Sequence, residues 1–365
     1  MRRGWAFRGE GPSALERFLI PSSIYLISAR ELMKKSPPPQ GRPSYRFSYT
    51  DLVRPDWFKD PMKGSIWVRA YAAPKATKDE LPEERLQFDI GLVRGTVSHG
   101  VLKYFNSPRP YLEPTSNGDA RFRIPPGGAI MSTIPGTYLV LVTPHVEEGV
   151  EPREETTLDV LDEVDGLLIG SGAHALVFQR TFDNVISLSG TQIILPFGEV
   201  DNAGWYDKPD LRPQAFQMLN DVHQAIELQG ASLRQRMRLS LRWLASAGHD
   251  RGVDSFLKLW IALETLALPE GITDIGPANA LLAEAYGLSR QEVGERFCLG
   301  RLQNLRSEIV HNGKLPKIPG EVSKFFEGLY FDLLFAVLAR PSQRRAAIFE
   351  RQPGFELRSW LSTVL

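Results

Sequence analysis

Cysteine is almost absent from this 365-residue sequence, since Cys298 is the only one. A single thiol cannot form an intrachain disulfide, and it cannot supply a cysteine-based zinc site. Cys298 lies in an apolar helical pattern, which is typical of a small buried side chain. We therefore expect a fold that is held together by its hydrophobic core, without a disulfide or metal staple.

Targeting signals and long apolar runs are also lacking. The basic start from Met1 to Trp5 is not followed by an apolar run of signal-peptide length. No stretch approaches the ~20 apolar residues that a membrane-spanning helix needs. The sequence thus predicts a cytoplasmic protein with no membrane partner.

There is no excess of either charge, because 43 basic residues balance 43 acidic ones. Proteins that bind nucleic acids usually show a basic excess. The balance argues against a large nucleic-acid footprint but is compatible with a local basic patch.

Motifs of metal and nucleotide chemistry are missing as well. The sequence contains no H-E-x-x-H, no P-loop, no G-x-G-x-x-G after a predicted strand and no acidic pair with ligand spacing. We expect no metal and no cofactor.

Proline divides the sequence, since 21 of the 27 prolines lie at or before Pro213. Proline is excluded from helix interiors and collects in loops and edge strands. The predicted fold class is therefore α+β, with a β-rich N-terminal domain followed by an all-α helical bundle. The predicted domains are residues 1–205, the bundle at 206–345 and a C-terminal tail at 346–365, with Glu199–Pro213 as the linker.

Strand candidates are segments rich in Ile, Val, Leu and aromatic residues with Gly or Pro at their flanks. They are Ser65–Tyr71, Gln87–Val93, Tyr138–Val142, Leu167–Phe178 and Val185–Pro196. The predicted loops are Ser36–Ser44, Ser107–Asp119 and the acidic segment Val146–Thr157.

Helical periodicity dominates the second part. The apolar spacing and end signals predict helices around Leu233–Leu244, over Asp254–Leu268 with Asp254 as N-cap, over Ala278–Tyr286 and over Glu321–Leu338. Ser289 and Glu292 form a predicted capping box, and Asn312-Gly313 ends the helix that carries Leu299, Leu302, Leu305 and Ile309. Short connections favour antiparallel neighbours in an up-down bundle.

Two polar residues stand among apolar neighbours in this bundle, namely Glu264 and Arg306. A buried carboxylate without a partner is costly, so we predict an ion pair between them. That pair could be purely structural or could belong to a functional site, and the two residues could also simply lie at the edge of the apolar face.

Arg306 and His311 form an R-x4-H pattern. Spacing alone cannot assign a function to it, since Arg94 with His99 matches as well, and Arg242 with His249 matches with six intervening residues. Five helical steps separate two side chains by about 140° around an ideal helix. The two can converge only where the helix ends or bends, and Asn312-Gly313 supplies an end.

The segments Trp260–Leu266 and Leu305–Gly313, followed by one apolar helix, resemble the Apea-like branch of the HEPN domain family over roughly residues 215–340. The resemblance implies a homodimer whose two motifs face a shared cleft, and many members are RNases that need no metal. The family's arginine and histidine map onto Arg306 and His311, and its acidic residue maps onto Glu264. Ser307 stands where the family often has Asn, Asp or His.

The residue types suit RNA cleavage. RNA carries its own nucleophile, the 2′-hydroxyl, and an imidazole titrates near neutral pH, so His311 can transfer protons. The planar fork of Arg306 fits phosphate oxygens. The predicted RNA-binding residues are Arg301, Ser307, Asn312 and Lys314, with Lys317 and the stripe of Arg234, Arg238 and Arg242 as further basic candidates or as a solvated face.

The resemblance therefore predicts a metal-independent endoribonuclease of bacterial antiviral defence or of a toxin system. Its partners would be RNA, a second copy of the chain, and a regulatory trigger or an antitoxin. The alternative is a non-catalytic HEPN module that serves as a dimerisation or RNA-binding adaptor.

Overall fold

A computed structural model describes residues 53–59, 64–73, 85–106, 111–114, 120–123, 130–145, 156–173, 179–187, 213–269, 271–272, 274–349 and 356–365. Residues 44–365 form one compact unit. The predicted linker before Pro213, the domain boundary at 205 and the predicted loop Ser36–Ser44 lie outside the described residues. Among the helices that are described, none has the length and apolar character to cross a membrane.

Five antiparallel strands form the main sheet, in the order β2-β3-β6-β1-β7. They are β1 (Ser65–Ala73), β2 (Arg85–Ile90), β3 (Val93–Asn106), β6 (Ile130–Pro144) and β7 (Gln179–Ser187), while β4 (Tyr111–Pro114) and β5 (Ala120–Arg123) pair separately. The strand predictions at Ser65–Tyr71 and Tyr138–Val142 are confirmed. Of the predicted strand Val185–Pro196, the described part ends at Ser187, in β7.

One strand prediction is confirmed in part and one is wrong. Residues 87–90 of the predicted strand Gln87–Val93 lie in β2 and Val93 begins β3, but Gly91, with a left-handed φ of 56°, and Leu92 form the tight connection between the two strands. The described part of Leu167–Phe178 completes a helix and a π-helical turn, Ile169–Ala173. A short apolar run is compatible with a buried strand and with a buried helix end, so periodicity did not separate the two. The predicted loop Ser107–Asp119 contains β4.

Ten helices are described. They are α1 (Thr157–Leu168), α2 (Pro213–Glu227), α3 (Ala231–Gly248), α4 (Gly252–Ala267), α5 (Gly276–Tyr286), α6 (Arg290–Phe297), α7 (Leu299–Asn312), α8 (Gly320–Val337), α9 (Arg345–Phe349) and α10 (Leu357–Val364). The predicted helices of the second part are confirmed, and the mixed α+β class with them.

Local end signals explain these helix boundaries. Both hydrogen bonds of the Ser289–Glu292 capping box are present at the start of α6. Gly287 and Gly313 each adopt φ of 66° directly after α5 and α7, a conformation that suits glycine. The predicted N-cap Asp254 is wrong, because α4 begins two residues earlier and Arg251 holds the cap position.

One hydrophobic core joins the sheet to the helices. The rings of Phe88 on β2 and Phe216 on α2 stack with centroids 4.1 Å apart. α1 packs against β3, β6 and α3, so it lies at the junction of the two layers. Side chains of β1 alternate, with Trp67, Arg69 and Tyr71 on the helix side and the buried residues Ile66, Val68 and Ala70 on the other.

Candidate functional site

The predicted motif lies on α7, with Arg306 half-buried and His311 exposed in the last turn. α7 stays helical through Asn312, so the two side chains leave the helix about 140° apart. The helix end comes too late to bring them together within one chain.

The predicted Glu264–Arg306 ion pair does not form. No hydrogen bond or ion pair joins these two residues in the part of the chain that is described, although α4 and α7 are in contact. Both residues are only half-buried. Water therefore reaches each charge, and the cost of burial that would enforce a pair is reduced.

The motif's side chains are available to an outside ligand. Within the described residues, no hydrogen bond or ion pair holds the side chain of Arg306, Ser307 or His311. Asn312 Nδ2 donates to Glu308 Oε1 at 3.1 Å on the same helix. A guanidinium and an imidazole are thus accessible on one helix and make no hydrogen bond or ion pair with the described residues.

Apolar side chains are exposed beside this motif. Val310 has 48% of its surface exposed, and Leu315, just beyond the helix end, has 82%. A single exposed apolar residue is ordinary. Val310 and Leu315 together form a small exposed apolar surface beside His311, and a partner surface that covered it would bury apolar area.

The predicted RNA-binding residues Arg301 and Lys314 contact the C-terminal helix. Arg301 donates through Nη1 to the Arg358 carbonyl at 3.3 Å and through Nη2 to Ser362 Oγ at 3.0 Å. Lys314 Nζ lies 3.5 Å from the Leu365 carbonyl oxygen. All these contacts are exposed, so both cations remain close to solvent.

The arginine stripe on α3 serves the fold. Arg238 Nη2 lies 2.5 Å from Glu227 Oε1, and Arg242 Nη1 lies 2.6 Å from Asp159 Oδ1. Arg234 donates to the Glu227 carbonyl. These contacts join α3 to α1 and α2, so the stripe contributes to the packing of these helices and is not simply a solvated face. Arg94, of the other R-x4-H match, pairs with Asp89 across the hairpin.

Sequence analysis did not predict a buried cluster of charged residues around Arg69. Arg69, whose side chain is 1% exposed, places Nη1 2.5 Å from Asp162 Oδ1 and 2.6 Å from Asp165 Oδ2. Its Nη2 lies 3.1 Å from Asp183 Oδ2. The Tyr71 hydroxyl donates to Asp165, and Trp67 Nε1 donates to Asp183 Oδ1 at 2.6 Å. The cluster ties β1 to α1 and β7.

Burial dominates the protonation of this cluster. It raises the pKa of Asp165 to about 6, against the opposing effect of the Arg69 guanidinium. It also raises the pKa of Tyr71 well above its usual value, so the hydroxyl stays a donor to Asp165. The one sequence feature that indicates this cluster is Arg69 itself, an arginine in the middle of an apolar strand, because a buried positive charge needs carboxylate partners. Their positions could not be inferred from spacing.

Glu163 on α1 is a second buried carboxylate, beside Arg242 and Arg238 at 3.5 and 3.7 Å. Burial raises its pKa to about 8, although the Arg242 charge opposes this. The folded state therefore binds the proton more tightly than the unfolded chain, whose glutamate has a pKa of 4.5. The resulting stability is complete below pH 4.5 and is lost as the pH rises towards 8.

Glu163→Gln should remove this dependence, because the amide does not ionise. Relative to the unmodified protein, the free energy of unfolding of the variant should rise by about 3 kcal/mol as the pH goes from 5 to 8. Urea unfolding of both proteins at several pH values measures the difference in their free energies of unfolding. Titrating groups that the two proteins share contribute equally to both and drop out of this difference. A difference that stays constant over this range would show that Glu163 is ionised throughout.

The described residues contain no group of three or more His, Cys, Asp or Glu side chains that could hold a metal ion. Comparison with known proteins finds no matching family model, no matching curated protein and no matching solved structure. Function must therefore be inferred from the residues and their geometry.

Proposed function

We propose that this protein is a metal-independent endoribonuclease of the HEPN type that acts as a homodimer. The observation that carries the proposal is the state of Arg306 and His311, which are accessible on α7 and unused by the described part of the fold. The resemblance of the two motif segments to Apea-like HEPN domains gives these residues their roles. It also suggests a place in bacterial antiviral defence or in a toxin system, controlled by a trigger or an antitoxin.

The proposed chemistry is an attack of the RNA 2′-hydroxyl on the adjacent phosphorus. His311 of one subunit removes the hydroxyl proton, and His311 of the other donates a proton to the leaving 5′-oxygen. Arg306 stabilises the charge that develops on the phosphoryl oxygens. The products are a 2′,3′-cyclic phosphate and a 5′-hydroxyl, so neither a metal nor a cofactor takes part.

The divergence of Arg306 and His311 favours a site that two copies of the chain share. If α7 of one subunit faces α7 of the other, the arginine of each chain can approach the histidine of its partner. The same contact would cover the exposed Val310 and Leu315. In this proposal Glu264 is a positioning residue for Arg306, and Ser307 and Asn312 contact the RNA backbone.

The test is RNA cleavage in the presence of EDTA. The unmodified protein should cut total RNA, whereas Arg306→Ala and His311→Ala should each lose activity by about 100-fold or more. Arg290→Ala, an exposed arginine at the start of α6, and His99→Ala, from the other R-x4-H match, serve as matched controls and should retain activity. Activity that depends on a metal, or that survives in both motif variants, would contradict the proposal.

Mixing the unmodified protein with His311→Ala tests the shared site. A heterodimer of the two holds only one His311, so it should be as inactive as the His311→Ala homodimer if both histidines act on one phosphate. Activity that falls more steeply than the fraction of unmodified chain supports a site built from two subunits, whereas a proportional fall contradicts it. A monomer in analytical ultracentrifugation at the assay concentration would argue against it.

The non-catalytic adaptor has one observation in its favour, since the fold does not join Glu264, Arg306 and His311 directly. An adaptor would bind labelled RNA or dimerise while leaving the RNA intact. RNA that comigrates with the protein, together with identical RNA profiles for all variants, would select this alternative.

A further inference from the structure

We infer that the C-terminal helix α10 covers part of the RNA-binding surface and competes with RNA for Arg301 and Lys314. This inference rests on the proposed function, because it concerns the regulation of the same site. It makes α10 a built-in restraint, which the substrate displaces as it binds.

The contacts place α10 over the basic residues that flank the motif. Arg301 reaches the Arg358 carbonyl and Ser362 Oγ, and Lys314 reaches the Leu365 carbonyl. Trp360 Nε1 donates to the carbonyl of a third basic residue, Lys317, at 3.4 Å. The segments on both sides of Arg306 and His311 therefore contact one short helix.

α10 is weakly anchored. Of its eight residues, Leu361 alone is fully buried, and Leu357, Trp360 and Val364 pack at the edge of the core. A helix of this length has little stability of its own in water. Release of α10 should therefore require much less free energy than unfolding of the core.

The chemistry of the contacts favours exchange with RNA. On α10 the acceptors of Arg301 are a carbonyl and a hydroxyl oxygen, which carry no net charge. A phosphate oxygen is anionic, and hydrogen bonds between charged groups are roughly twice as strong as neutral ones. RNA thus offers Arg301 a better acceptor than α10 does, and docking of α10 reduces the apparent affinity for RNA.

Leu361→Asp in the full chain is the main test, because a carboxylate at this buried position should undock α10. Ser359→Asp is the matched control, since it adds the same charge to the same helix at an exposed position. Ser362→Ala is a milder second variant, which removes one acceptor of Arg301 at an exposed site. The probe is a 2′-O-methyl RNA oligonucleotide, which cannot be cleaved, and cleavage of unmodified RNA is measured in parallel.

Leu361→Asp should bind the probe about 3- to 10-fold more tightly and lower the KM for cleavage with little change in kcat, as expected for one or two released contacts. Ser362→Ala should shift in the same direction by a smaller factor, and Ser359→Asp should stay within about twofold of the unmodified protein. Hydrogen exchange in residues 357–364 should accelerate when the probe is added to the unmodified protein.

The outcomes of these experiments distinguish failure of the proposed α10 restraint from failure of the nuclease proposal. If the unmodified protein cleaves RNA but Leu361→Asp and Ser362→Ala leave affinity and KM unchanged, the restraint is overturned and the nuclease proposal stands. If no protein cleaves or binds RNA, both are overturned. Should Leu361→Asp fail to fold, as judged by its thermal transition, Ser362→Ala and the hydrogen exchange of the unmodified protein decide.

Discussion

Arg69→Met should lower the free energy of unfolding by about 3–5 kcal/mol, because the substitution removes the only buried cation of a cluster in the described structure that holds three carboxylates. Methionine fills much of the same volume, so little of the loss should come from a cavity. Asp165, which is fully buried, would keep the Tyr71 hydroxyl but lose its counter-charge. Urea unfolding of both proteins at pH 8 measures the effect.

Arg180→Met is the matched control, since Arg180 also pairs with Asp183, at 3.0 Å, but is 41% exposed. An exposed pair contributes little, so this variant should lose less than about 1 kcal/mol. The loss in Arg69→Met should also shrink between pH 8 and pH 5, because Asp165, whose pKa is already raised to about 6, can then take up a proton. Equal losses in the two variants would show that burial of Arg69 is not what makes it important.

The sequence predicts the features that residues close together in the chain determine, and it does not predict those that depend on residues far apart in the chain. The helices from α3 to α8 follow from apolar spacing and from end signals such as Ser289 with Glu292 and Gly313, all within a few residues. The strand prediction overlaps the end of α1 because α1 ends in Leu167 and Leu168 and is followed by Ile169, a short apolar run. The tertiary core that joins Phe88 to Phe216 has no local signal at all.

The candidate site shows the same limit. Sequence patterns located Arg306 and His311 on one helix and the end of that helix at Gly313, as observed. They did not reveal that Glu264 lies apart from Arg306, nor that Arg301 turns to the C-terminal helix. Arg69 and Asp165 are 96 positions apart in sequence, and only the tertiary fold brings their side chains to 2.6 Å from each other.

Gly166→Ala should destabilise the fold by about 3 kcal/mol, because α1 and α3 touch at this glycine. A Cβ atom there would lie 2.2 Å from the Leu241 carbonyl oxygen, which belongs to the backbone of α3 and cannot rotate away. The helices would have to separate, and the core residues between the sheet and α3 would lose contacts. Measurement is by urea unfolding, with the change in midpoint read at constant slope.

Gly300→Ala isolates the cause of that loss. Gly300 is also helical, in α7, but a Cβ atom there would meet nothing within 4 Å. Alanine is favoured over glycine in helices, so this control should gain about 0.5–1 kcal/mol. The same propensity gain is present in Gly166→Ala, which means that the clash itself costs more than the measured loss. If both variants were stabilised, α1 and α3 could accommodate a methyl group at residue 166 despite the short distance to the Leu241 carbonyl oxygen. The position of α1, and with it that of Asp165 relative to Arg69, would then be less rigidly determined by the contact with α3.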